Sequence, residues 1–259
     1  MLSDCYFTKQ LPCIGIPYDL YLTSDLPKIN FKQYKAVLFP NAFFADDKLI
    51  GDVRRYAAGG KRTLVFFHSP GLTTRRNEPD VRQSEKLTGI RLNFDAGAMS
   101  GPIVCDFGKV EKKPVRFRTT IDDPDAKVLC RWEDGAPAAA EKQFGNWKSI
   151  VICHHAPSLT LLRNVLHANG ARYWSSGRAG LNQCSFAGPV VSMYTRKAGK
   201  QTIWLPKKVE VAVDLFTGEV LKRNGYVVDF VSPETPHTRV IFAGSVADYR
   251  KFFDFEKNK

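Results

Sequence analysis

Two short apolar runs, Ala36-Val37-Leu38-Phe39-Pro40 and Thr63-Leu64-Val65-Phe66-Phe67, constrain this chain more than any other feature of its sequence. Neither alternates apolar with polar residues, so each reads as a strand covered on both faces. Between them, Asp46 and Asp47 offer an N-cap and a favourable charge at a helix start. Leu49, Ile50, Val53, Tyr56 and Ala57 follow at helical spacing, and Gly59-Gly60 supply a left-handed stop. Strand, helix and strand in that order make a parallel βαβ crossover, and hence an α/β core.

Similar signals extend along the chain. Tyr18 to Leu22 reads as a short strand, and Ser84 to Leu87 as a short helix closed by Gly89. Residues 91–118 have no usable period. Asp134-Gly135 between Ala126–Cys130 and Ala138–Lys142 is a hairpin signal. Ser149 to Cys153 is a further buried strand, and Ser158 caps a helix with the stripe Leu161, Leu162, Val165 and Leu166. After Gly170 the chain turns β-rich, with strands at 189–194, 202–205, 209–215, 226–230 and 239–242 and a frayed tail after Asp248. The expected organisation is an α/β domain over residues 1–185 and a β-rich extension over 186–259.

Composition excludes some function classes. At 44% hydrophobic and 25% charged residues the chain is ordinary globular protein. No apolar run nears the roughly 18 residues of a membrane span, so no membrane partner is expected. No signal peptide is visible at Met1-Leu2-Ser3-Asp4-Cys5, which implies a cytoplasmic location if the chain is complete. The formal charge of +12 comes as scattered pairs such as Arg54-Arg55 and Lys207-Lys208, without a basic helix face or an aromatic-basic strand, so no nucleic-acid partner is expected. Six cysteines lack a C-x-x-C pair, which points to reduced, mostly buried thiols.

In an open parallel sheet, ligands meet the carboxyl ends of the strands, which puts the turn Phe66-Phe67-His68-Ser69-Pro70 first among candidate sites. Enzymes with such an elbow place Cys or Ser at its tip, beside backbone N–H donors. Here the tip is Phe67 or His68 depending on register, and Pro70 removes one donor. No catalytic residue is therefore expected, although a His68/Ser69 hydrolase remains an alternative. Cys153-His154-His155 cannot converge on one face if the strand continues, and further ligands are not evident, so no metal is expected. Asp122, Asp123 and Asp125 cluster around a turn, while Glu141 and Glu219 sit beside lysines, so no catalytic carboxylate pair emerges. No phosphate-binding glycine motif follows the early strands, and no cofactor is expected. Trp174, with Arg178 in the loop Gly177-Arg178-Ala179-Gly180, could serve a carbohydrate- or anion-binding module.

Taken in order, several segments resemble one family. They are Gly15 to Leu26, Tyr34 to Phe43, Arg131 to Ala138, Phe144-Gly145-Asn146-Trp147, the capped helix after Pro157, and Val213 to Glu219. This order is similar to the trimerisation domain of family-42-type β-galactosidases, which belongs to the class I glutamine amidotransferase-like superfamily. The resemblance implies a flavodoxin-like parallel sheet flanked by helices, homo-oligomerisation (a trimer in that family), and a glycosidase barrel in cis or in trans. Active members of the superfamily carry a cysteine in the elbow where this chain aligns Phe67, and trimerisation domains lack it. The resemblance thus implies a non-catalytic domain of a glycoside hydrolase, concerned with assembly and with shaping a sugar site. The barrel glutamates of such enzymes have no counterpart in these residues.

Overall fold

A computed structural model of the chain describes residues 11–73, 78–106, 108–110, 116–155, 158–176, 182–233 and 236–253. They form a mixed α/β fold that divides into two compact units, one of residues 20–171 and one of residues 9–19 with 172–259, apart from the first eight residues.

The first unit is built on a seven-stranded sheet. Its strands are β1 (Ala36–Phe39), β2 (Arg62–Phe67), β4 (Ile103–Cys105), β5 (Gly108–Val110), β7 (Lys127–Trp132), β8 (Pro137–Phe144) and β9 (Trp147–Ile152), in the order β1-β2-β9-β8-β7-β4-β5. β1, β2 and β9 are parallel, with Phe39 opposite Phe66 and Phe67 opposite Ile152. The other pairings are antiparallel, so the parallel sheet read from the sequence is confined to three strands. Two further strands, β3 (Leu92–Met99) and β6 (Arg116–Ile121), form a separate antiparallel ribbon in the stretch that lacked periodicity.

Local chemistry explains the helices. Helix α1 (Asp47–Asp52), prolonged by a π-turn (Val53–Ala57), starts where the Asp46 carboxylate accepts the Leu49 N–H at 2.8 Å. It ends under Arg62, whose Nε donates to the Ala57 carbonyl at 2.8 Å. Helix α2 (Val81–Thr88) is capped by Asp80 and closed by Gly89 at φ 76°, and α3 (Leu159–Ala168) is capped by Ser158. Leu161, Leu162, Val165 and Leu166 of α3 are buried, as their spacing predicts.

Two expectations for the first unit need correction. β1 is the sheet's edge strand, and of its residues only Phe39 is buried; it is not covered on both faces. Tyr18 to Leu22 is not a strand. It leads into a 3-10 helix (Thr23–Lys28), with the Asp25 carboxylate accepting the Leu22 N–H at 3.2 Å, and Leu20 and Leu22 stay exposed. An Asp that ends a strand and one that opens a helical turn look alike in sequence, and here the turn prevails.

The second unit is an antiparallel sheet in the order β10-β11-β14-β12-β13. Its strands are β10 (Asn182–Ala187), β11 (Val190–Thr195), β12 (Gly199–Asp214), β13 (Val220–Ser232) and β14 (His237–Gly244). Val191, Met193, Ile203, Val228 and Ile241 make its core. The strands expected at 202–205 and 209–215 are one strand, β12, whose register shifts between Trp204 and Val209. The irregularity accommodates Pro206 without ending the ladder. β13 is an edge strand that exposes Val220, Tyr226 and Val231. The tail is not frayed from Asp248: helix α4 (Val246–Phe253) follows Ser245, whose hydroxyl accepts the Asp248 N–H at 3.0 Å, and Tyr249 packs on Phe242. No helix among the described residues is long and apolar enough to cross a membrane.

Candidate functional site

The carboxyl ends of β2 and β9 lie side by side, and the residues that leave them build the site. Phe67, the last residue of β2, is buried. His68 comes next at φ 64°, in the left-handed region that non-glycine residues seldom enter, so the tip of the turn carries an imidazole. Its backbone N–H still reaches β9, donating to the Ile152 carbonyl at 2.9 Å. The His68 ring lies 5.1 Å from Phe117, 5.4 Å from Phe43 and 5.9 Å from His155, centroid to centroid.

β9 stops at Ile152, so strand alternation does not govern residues 153–155. The His154 and His155 rings stack with centroids 4.6 Å apart, and His154 also meets Trp132 at 5.9 Å. Cys153 is buried, with its N–H on the Ala138 carbonyl. Thr119 on β6 joins the two strand ends: its hydroxyl hydrogen-bonds Ser69 Oγ at 3.2 Å and the Cys153 thiol, while its carbonyl accepts from Trp132 Nε1 at 3.2 Å.

Among the described residues this is an aromatic cluster whose hydroxyl and thiol groups are buried and hydrogen-bonded. Ser69 is fully buried and committed to Thr119. Burial pushes the Cys153 thiol up to about 12 despite its hydrogen bond to Thr119, so it carries its proton at neutral pH. Burial, aided by His155, pushes His68 down to about 4, which leaves it neutral. The His68 Nδ1 atom is buried without a hydrogen-bond partner among the described residues, so no such bond at Nδ1 orients the ring as a base. The backbone donors near the turn are largely consumed: His68 bonds Ile152, Gly71 bonds Ala42 and Leu72 bonds Ser69, while Pro70 has none to give. Among the described residues no three His, Cys, Asp or Glu side chains are grouped to hold a metal ion.

Other sequence candidates disperse. Asp123 bonds Lys142 Nζ at 2.8 Å, Glu141 lies between Lys127 and Lys148, and Glu219 pairs with Arg239 at 3.1 Å. A cavity of about 430 Å³ opens at the opposite end of β2 and β9, lined by residues such as Lys61, Arg62, Trp147, Lys148 and Asn169. Its Arg62 is taken up by the Ala57 and Phe31 carbonyls and its Lys148 by Glu141. In the second unit, the half-buried Trp174 meets Phe186 edge-on at 4.0 Å, and its backbone bonds Gly15 and Trp204. Arg178 and its loop lie outside the described residues. The Thr119 junction has no signal in the sequence because Thr119 falls next to a stretch without period; only the structure brings it to the elbow.

No family model and no curated protein match the chain. Solved structures do resemble it. A GH42 β-galactosidase from G. stearothermophilus, in its E323A catalytic mutant, is similar at 18% identity and a TM-score of 0.63 over 93% of this chain and 35% of its own. A polyextremophilic β-galactosidase from the Antarctic haloarchaeon Halorubrum lacusprofundi is similar at 16% identity and a TM-score of 0.63, over 94% of this chain and 36% of its own. The α-L-fucosidase isoenzyme 2 from Paenibacillus thiaminolyticus gives 12% identity and a TM-score of 0.65, over 93% of this chain and 45% of its own. The chain therefore shares its fold with portions of known glycosidases and spans between 35% and 45% of the length of each.

Proposed function

We propose that this chain is a non-catalytic, amidotransferase-like portion of a β-galactosidase-like glycoside hydrolase, serving oligomer assembly and shaping a sugar site. The observation that carries the reading is the turn after the parallel strand β2, whose left-handed tip holds His68, with Phe67 in the core and Ser69 buried. The three parallel strands β1, β2 and β9 support the flavodoxin-like reading, and the antiparallel sheet of the second unit supports a β-rich extension. The likeness to portions of two β-galactosidases and a fucosidase supports a glycosidase context, with a barrel in cis or in trans as partner. Assembly is proposed to be cyclic, as a trimer.

Light scattering coupled to size exclusion tests the assembly role directly. A mass near three times 29.1 kDa at micromolar concentration is the expected result, and a monomer throughout that range defeats it. The same preparation is expected to hydrolyse no galactoside without a barrel partner. Any activity abolished in a His68→Ala, Ser69→Ala double variant would instead favour the small-hydrolase reading. Trp174 is proposed as a minor sugar contact, and galactoside titration against Trp174→Ala checks it by calorimetry.

A further inference from the structure

We propose that Cys105 and Cys130 form an oxidation site that closes a reversible cross-strand disulfide when the chain meets hydrogen peroxide. The proposal rests on placement in the sheet and is independent of the assembly role. Cys105 ends β4 and Cys130 lies in β7, and the two are direct partners across an antiparallel pair. Facing residues in such a pair project to the same side of the sheet, with Cα atoms about 4.5 or 5.5 Å apart according to the hydrogen-bonding pattern. Both spacings fall within the range of about 4.4–6.8 Å that a disulfide spans without moving the backbone. The two side chains already hydrogen-bond each other, and both are thiols in this structure.

The two positions differ in a way that divides the labour. Cys105 is partly exposed, whereas Cys130 is buried at a point where the β7–β8 register shifts. Burial raises the Cys130 thiol, and Cys105 and Asp106 raise it further, so Cys130 is the poorer first nucleophile. Cys105 therefore attacks the peroxide. Its sulfur takes one oxygen to become a sulfenic acid, the O–O bond breaks, and water leaves. The Cys130 sulfur then attacks the Cys105 sulfur, its proton goes to the departing hydroxide, and a second water leaves. Two thiols and one peroxide thus give one disulfide and two waters, the sulfurs losing the two electrons that the peroxide gains. Cys13, Cys153 and Cys184 have no cysteine partner across a strand pair: Cys184 faces Met193, and Cys13 and Cys153 lie outside the strands. The bond would fasten the β4–β5 hairpin, at the sheet's outer edge, to β7.

The test is peroxide titration of the full chain, followed by alkylation of remaining thiols and peptide mapping. The expected product is about 2 Da lighter than the reduced chain, links the peptides of Cys105 and Cys130, and returns to two thiols with dithiothreitol. It should melt higher than the reduced form by roughly 5 °C or more. Cys105→Ser should abolish the link. Cys130→Ala should strand Cys105 as a sulfenic acid that dimedone captures. Oxidation of wild-type Cys105 to sulfinic acid with Cys130 still alkylated would overturn the proposal, and so would a link from either cysteine to any other thiol.

Discussion

His68 holds a neutral imidazole among Phe43, Phe117 and His155, and that environment makes it a pH sensor of the fold's stability. Its ordinary value of 6.5 falls to about 4 in the folded chain. The unfolded chain thus takes up a proton below pH 6.5 that the folded chain refuses until near pH 4, and stability declines across that window as pH falls. The loss should reach roughly 3 kcal/mol. Urea melts of the wild type between pH 4 and 7 measure it. His68→Asn, which tolerates the left-handed backbone but does not titrate, should flatten that part of the profile. The sequence marked this turn as lacking a nucleophile but left the tip open between Phe67 and His68. Only the backbone angle resolves it, because a one-residue shift in where β2 ends changes nothing in composition.

The elements that were legible have local signals strong enough to need no tertiary help. Asp46 and Ser158 stand one residue before helices with clean apolar stripes, and Gly89 stands one residue after another. Gly89 also shows why its place is fixed. It adopts φ 76°, and a Cβ there would overlap the Phe144 ring. Gly89→Ala should therefore cost about 1–3 kcal/mol, read by thermal or urea denaturation. Other elements carried a signal that competed with another. Ser245-Val246-Ala247-Asp248 has the spacing of a capping box, yet the charged residues after Asp248 read as a fraying tail. Pro206 lies in the gap between the strands expected at 202–205 and 209–215, and β12 runs through it by a shift of register. Thr119 and Trp132 meet at the candidate site by a bond between strands of two different sheets, β6 and β7, which local period does not signal.

At the scale of the whole molecule, the succession β1, α1, β2, α2 and then β7, β8, β9, α3 in the first unit, and the β-rich character of the second, were readable from period and turn chemistry. The β7–β8 hairpin was read as well, but the antiparallel β4 and β5 were not, because they are three residues each and carry no usable pattern. Net charge acts at this scale as well. With +12 spread in pairs, attraction to polyanions should be diffuse and easily screened, so the chain should leave a heparin column well below 1 M salt, where the Debye length is about 3 Å. Retention beyond that would signal a built nucleic-acid surface. The free rim of β13 has a consequence of a different kind. Its outer backbone groups, beside Val220, Tyr226 and Val231, offer a template on which a second chain could add a strand, and Lys222 and Arg223 sit between these apolar positions. Replacing both by threonine should leave the fold of each chain intact and yet turn concentrated solutions turbid, with thioflavin-positive deposits. These two side chains would then be acting as gatekeepers against aggregation.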